Sequence, residues 1–205
     1  MSTVSPEEVF LPHEQSARDT PLATQVRGTV LLGSLRGLRA RGLGDRYLSL
    51  VDPQHRDTLV ALTAATWLPI EVALAHYEAC EALALDRSTI ESIGAESGLF
   101  VNQTVQSVVA RVSREVGVTP WFALGNAHKF RARTWVGSSV AIYKLGPKDA
   151  RFEWIQFPIA RIPYVRVAFG AFAGAIAGLF ARTMVVRDLE PGSRKPSLSY
   201  RLSWV

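Results

Sequence analysis

Apolar residues recur at helical spacing through the first two thirds of the chain and at strand spacing through the last third. Leu31, Leu35 and Leu38 share one helix face, and Gly42-Leu43-Gly44 closes that segment. Asp52-Pro53 reads as an N-cap followed by a first-turn proline, which starts another helix near Gln54. Trp67-Leu68-Pro69 breaks it. Pro69 then opens the next helix, with Glu71 in the first turn, where the helix dipole favours negative charge, and Ile70, Leu74 and Tyr77 as its inner face. Asp86 caps the longest predicted helix, which runs to about Val116 on a stripe of Ile90, Ile93, Ser97, Val101, Thr104, Val108 and Val112. Gly117 ends that run, and Thr119-Pro120 caps a further helix carrying Trp121, Leu124 and His128.

From Ser138 to Val205 the period changes. Leu198, Tyr200, Leu202 and Trp204 alternate with Ser199, Arg201 and Ser203, the signature of a half-buried strand. Phe152 and Trp154 alternate with Arg151 and Glu153 in the same way. Gly146-Pro147-Lys148-Asp149 and Pro191-Gly192 supply turns, so two hairpins flank one Gly/Ala-rich apolar helix. That helix places Gly170, Gly174 and Gly178 four apart along one face. Each glycine costs a helix about 1 kcal/mol relative to alanine, so the stripe requires a compensating contact. Close approach to the sheet, a bound ligand and a partner helix would each provide one. The predicted class is α+β, N-terminal helices followed by a hairpin–helix–hairpin antiparallel sheet. Residues 1–24 are polar, contain proline and show no period; they are expected to be a disordered arm, with a single ligand-binding-type domain over 25–205.

Composition narrows the class further. A chain of 205 residues with 48% hydrophobic content can bury a large core without staples. The net charge of +5 invites a nucleic-acid reading, but the basic residues are 19 arginines and 4 lysines scattered singly, so nucleic acid is not an expected partner. One cysteine allows no internal disulfide, which suits a reducing cytoplasm. Met1 to Thr20 lacks the apolar run of a signal peptide, and the longest apolar run, Val167 to Ala181, has 15 residues where a span needs about 20. A cytoplasmic location follows as the expectation.

Candidate chemistry is sparse. His76 and Cys80 lie four apart on one predicted helix, spacing that could supply two zinc ligands, but no second Cys/His pair completes the set. A buried cysteine beside a core histidine explains them as well. His128 lies among Lys129, Arg131 and Arg133, which read as a solvated basic face or an anion site. Gly33 to Gly44 holds four glycines without a following Gly-Lys-Ser/Thr, so no phosphate-cradling loop is predicted. There is neither a Gly-x-Ser-x-Gly elbow nor a His-Glu-x-x-His motif, and no acid is paired with a base at a recognisable spacing. The aromatic set is more suggestive: Phe100, Trp121, Phe122, Phe130, Trp135, Tyr143, Trp154, Tyr164, Phe169 and Phe172 all fall at residue 100 or beyond. They would fill a core or line an apolar pocket with a few polar handles.

Helices followed by hairpin, helix, hairpin resemble the ligand-binding fold of 4-vinyl-reductase domains, haem–NO-binding-associated domains and TRAPP-type trafficking subunits. Arg27-Gly28-Thr29, Trp67-Leu68-Pro69 and the terminal Ser203-Trp204 also look like an uncharacterised paralogous family of myxobacterial proteins. The resemblance implies a regulatory or binding module, often dimeric, with an internal apolar cavity. The cysteines that bind metal in such sensors are missing between Asp188 and Ser199, and the tyrosine–serine–arginine motif that holds haem in the related gas sensors is absent. No metal and no cofactor are therefore expected. Cys80 is comparable to the acylated cysteine of TRAPP subunits.

These readings converge on a non-enzymatic module, expected to be a homodimer, that holds an apolar or aromatic small molecule or a lipid between sheet and helices. Trp121, Phe122, Trp135, Tyr143, Trp154 and Tyr164 are its expected lining, with His76 or His128 as polar handle. The alternative is a protein-interaction subunit of the same fold with a filled core and an unknown signalling or assembly partner.

Overall fold

A computed structural model describes residues 8–16, 18–106, 119–189 and 196–205. Its main sheet has five antiparallel strands in the order β1-β5-β6-β8-β7: β1 (Glu8–Leu11), β5 (Ser139–Gly146), β6 (Asp149–Ile155), β8 (Ser197–Trp204) and β7 (Met184–Leu189). The expected alternation in β8 is realised: Leu198, Tyr200, Leu202 and Trp204 are all buried. The Gly146–Asp149 turn joins β5 to β6, while the turn expected at Pro191-Gly192 lies outside the described residues. A small second sheet, β3-β2-β4, joins Trp67–Pro69, Gln25–Arg27 and Trp135–Val136. Trp67-Leu68-Pro69, predicted as the break of the preceding helix, is instead a strand; that helix already ends at Val60.

Most helices start where the caps and periods place them, while the one over Gly44–Leu50 was not predicted. The helices are α1 (Gly28–Ala40), α2 (Gly44–Leu50), α3 (Pro53–Val60), α4 (Ile70–Ala82) and α5 (Arg87–Gln106). Asp52 accepts from the Gln54 N–H at 3.0 Å and Asp86 from the Thr89 N–H at 3.0 Å, so both predicted acidic caps are made. In α5 the inward stripe holds at Ile93, Ser97 and Val101, all buried. Val108 and Val112 lie outside the described residues. The single helix expected after Thr119 is instead two, α6 (Pro120–Gly125) and α7 (Ala127–Thr134), separated at Asn126.

The apolar helix is α8 (Pro163–Gly178), and it lies between the sheet and α5. Its glycine stripe faces the sheet. A Cβ on Gly174 would meet Val186 Cγ2 at 2.5 Å, and one on Gly170 would meet Tyr200 Cε1 at 3.0 Å. On its other side α5 comes as close: a Cβ on Gly94 would lie 2.2 Å from the Ala168 carbonyl oxygen. Close backbone approach, one of the three reasons open at the sequence level, thus accounts for Gly170 and Gly174. Among the described residues no helix is long and apolar enough to cross a membrane.

Part of the expected disordered arm is built into the fold. β1 extends the sheet beyond β5, Ser138 N–H donates to Pro21 O at 2.9 Å, Ala23 N–H donates to Gln156 O at 2.9 Å, and Thr20 and Ala23 are buried. Backbone hydrogen bonding holds this segment, satisfying groups on β5 that an open edge would expose. Side-chain periodicity is therefore a poor guide to it: Glu8, Val9 and Phe10 remain exposed.

Candidate ligand-binding site

Between α6–α7, α8 and the inner face of the sheet lies an apolar cavity of about 70 Å³. Its walls are mainly the rings of Phe130, Phe152, Trp154, Phe169, Phe172 and Tyr200. Strand alternation aims Phe152, Trp154 and Tyr200 inward, and helical spacing stacks Phe169 on Phe172 with centroids 5.7 Å apart. Phe130 meets Phe172 edge to face at 5.7 Å. The polar atoms nearby are already engaged. Tyr200 O–H donates to Arg166 O at 2.8 Å, Trp154 Nε1–H to Ser138 Oγ at 3.0 Å, and the Asn126 amide to Phe122 O at 2.8 Å. What remains is a surface that selects by shape and apolarity.

The eight residues expected to line a pocket separate into several groups. Trp154 lines the cavity. Trp135 lies one ring behind, 6.0 Å from Trp154 and 4.7 Å from Phe157. Tyr164 is buried on the helix side near Tyr77. Tyr143 is on the opposite face of the sheet, its ring 3.9 Å from the Arg151 guanidinium. Trp121 packs on Phe10 and Trp204 and donates to Pro147 O at 2.9 Å, while Phe122 is 42% exposed. His128 is half-buried on α7, and its Nδ1 is without a partner. Phe130, Phe169 and Phe172, which do line the cavity, belong to the same aromatic set; spacing within one element did not separate ring from ring.

His76 is fully buried on α4. Its Nδ1 is 2.7 Å from Tyr47 Oη and its Nε2 3.8 Å from Cys80 Sγ. Burial keeps the imidazole neutral, with its pKa pushed down to about 3. Tyr47 O–H then donates to Nδ1, leaving Nε2–H directed at the sulfur. The Cys80 thiol is pushed up to about 12 by the same burial and is fully enclosed. Acylation of Cys80 thus requires α4 to open. Among the described residues no group of three or more His, Cys, Asp and Glu side chains could hold a metal ion.

A second polar group was not legible in the sequence. On the outer face of the sheet His13 Nε2 is 3.3 Å from Glu153 Oε2, its Nδ1 is 3.1 Å from Ser139 Oγ, and Tyr143 O–H donates to Glu153 at 3.2 Å. The bond to His13, with Arg151 nearby, holds the Glu153 carboxyl below the usual carboxylate range. Glu153 is thus buried where a solvent-facing residue was expected, because the N-terminal segment covers it. The Ser–His–Glu order matches a hydrolytic relay, yet Ser139 is 1% exposed beneath that segment, so no substrate reaches it. The group fastens residues 8–16 to the sheet.

Solved structures place this architecture. A single-residue variant of the Fe(II) unliganded H-NOX protein from K. algicida aligns with a TM-score of 0.62 at 7% identity, covering 87% of this chain and 96% of that one. The chain has the H-NOX fold. An oxygen-binding H-NOX domain related to soluble guanylate cyclases aligns with a TM-score of 0.56 at 12% identity, over 87% of this chain and 94% of the other. A single-residue variant of T. tengcongensis H-NOX gives 0.57 at 11% identity, over 87% and 97%. Among the resemblances read from the sequence, the haem–NO-binding one accords with these structures. No protein-family model and no curated protein matches the chain in sequence.

The H-NOX fold implies haem, since one of the solved structures that aligns with this chain concerns haem distortion in the H-NOX family. The residues present here do not fit that group. The chain has four histidines and one cysteine, and none of them lines the cavity. Pockets for drug-sized ligands run to roughly 300–1,000 Å³, and a porphyrin needs at least that; the ring cluster leaves about 70 Å³.

Proposed function

We propose that this chain is a non-enzymatic regulatory module of H-NOX fold that binds a small apolar molecule in the cavity beneath α6 and α7. The observation that carries this is the cavity itself: aromatic walls whose polar atoms are already paired, between the sheet and the helices. Engineered apolar cavities of about 150 Å³ take up benzene, so the space here admits a ligand of only a few heavy atoms as it stands. An aromatic ring or acyl tail requires α6 and α7 to move outward, which two short helices separated at Asn126 would permit. The module is proposed to act as a cytoplasmic homodimer that passes occupancy to another protein. The second reading, a protein-interaction subunit with a filled core, is favoured by the small volume that the ring cluster leaves.

Native mass spectrometry of the purified chain against its denatured mass separates the two. The expected result is a dimer with a non-covalent mass excess, lost on denaturation and extractable into organic solvent. Ala173→Phe, which fills the cavity from α8, should remove the excess and leave the dimer. A bare mass in the unsubstituted protein that does not change when benzene is offered would favour the filled-core reading.

A further inference from the structure

Two tripeptides set forty residues apart, Arg27-Gly28-Thr29 and Trp67-Leu68-Pro69, meet in the three-stranded sheet. Arg27 and Trp67 are direct cross-strand partners, so their side chains leave the sheet on one side, and the guanidinium lies 5.1 Å from the indole centroid. They form one wall of an open groove of about 610 Å³, within the range of small-molecule sites and separate from the aromatic cavity. The small side chains of Ala64, Ala65 and Ala132 leave the space, and Arg133, exposed near the end of α7, also lines it.

The charge of this groove is unbalanced. No acidic residue lines it, and neither Arg27 nor Arg133 has a carboxylate partner among the described residues. The first two N–H groups of α1 beside it are already taken by the carbonyls of Thr66 and Ala64, so the positive potential rests on the two guanidiniums. The groove between α5, α8 and β7 differs in this respect. It also contains arginines, but Arg166 is held by Asp188 at 2.9 Å and Arg87 by Glu91 at 2.8 Å, leaving no free charge.

We propose that the groove binds a small organic anion. A carboxylate or phosphate head lies between Arg27 and Arg133, whose planar donors suit either group, and a compact apolar body rests on Trp67 and the alanines. The site is solvent-open, so binding weakens as salt rises.

Calorimetric titration of the full chain with benzoate, phenylphosphate and uncharged phenol tests this. The expected result is saturable binding of at least one anion with a Kd below about 1 mM, phenol binding at least tenfold more weakly. Whichever anion binds more tightly identifies the head group. Arg133→Gln alone, at an exposed position, should weaken the anion at least tenfold, and Arg27→Gln/Arg133→Gln should abolish measurable binding in a protein that stays folded, its melting temperature lowered only by the loss of the Arg27–Trp67 contact. Chemical-shift change at the Trp67 indole N–H, assigned through Trp67→Phe, would locate the ligand. Failure of both anions to bind, phenol binding as well as they do, or binding that persists in the double variant would overturn the proposal.

Discussion

Gly94→Ala is expected to destabilise the protein by at least about 3 kcal/mol, lowering its melting temperature by roughly 6–12 °C. Helix propensity alone argues for the opposite sign, since alanine in mid-helix is favoured over glycine by about 1 kcal/mol. Steric contact decides the outcome. The new Cβ would lie 2.2 Å from Ala168 O and 2.9 Å from Ala168 Cα, and both are backbone atoms that no rotamer change can move. α5 and α8 would have to separate along their whole contact, which continues at Gly98 against Phe172 O at 2.7 Å. Gly44→Ala is the control, because its Cβ would meet only Arg39 Cγ at 3.6 Å. There the change should be neutral or stabilising by up to about 1 kcal/mol. Thermal unfolding of both variants checks the pair; a Gly94→Ala protein as stable as the parent would contradict the close crossing of α5 and α8.

Acidification from pH 7 to pH 5 is expected to remove about 2 kcal/mol of stability through His76 alone. The imidazole is buried without a carboxylate partner, and its pKa is pushed down to about 3 in the folded chain. In the unfolded chain it takes up a proton near pH 6.5, so between pH 6.5 and about 3 the unfolded state binds more protons and stability falls with pH. Glu153 adds to this only at lower pH, because a carboxyl held below its ordinary range withdraws its contribution as the pH drops through its folded pKa. Urea denaturation at pH 7 and pH 5 should show the loss in the parent. His76→Gln, whatever its own stability, should flatten the dependence by about that amount. Identical pH dependence in the two proteins would show that the histidine is not held neutral.

The parts of the fold legible in the sequence are those governed by local rules. Asp52 and Asp86 cap helices because a carboxylate next to free N–H groups is favourable in almost any context, and β8 alternates because one of its faces meets the core. What was not legible depends on contacts remote along the chain. His13 reaches Ser139 and Glu153 across 126 and 140 residues, and nothing in a polar, aperiodic segment announces that pairing. The cavity shows the same limit. Ten aromatic residues stood out together, but which of them share one enclosure depends on how α7 and α8 sit over the sheet. Tyr143 and Trp154 come from adjacent strands, yet they point to opposite faces. The glycine stripe lay between these cases: its spacing showed that something approached closely, and the fold identifies that neighbour as the sheet.

The proposed ligand site is an apolar, ring-walled cavity that is too small for a porphyrin. A crystal structure of the chain under xenon pressure addresses it most directly. The expected result is a xenon atom among Phe130, Trp154 and Phe172, no porphyrin density, and loss of the xenon site in Ala173→Phe. A porphyrin ligated by one of the four histidines, or ordered water filling the space among those rings, would contradict it.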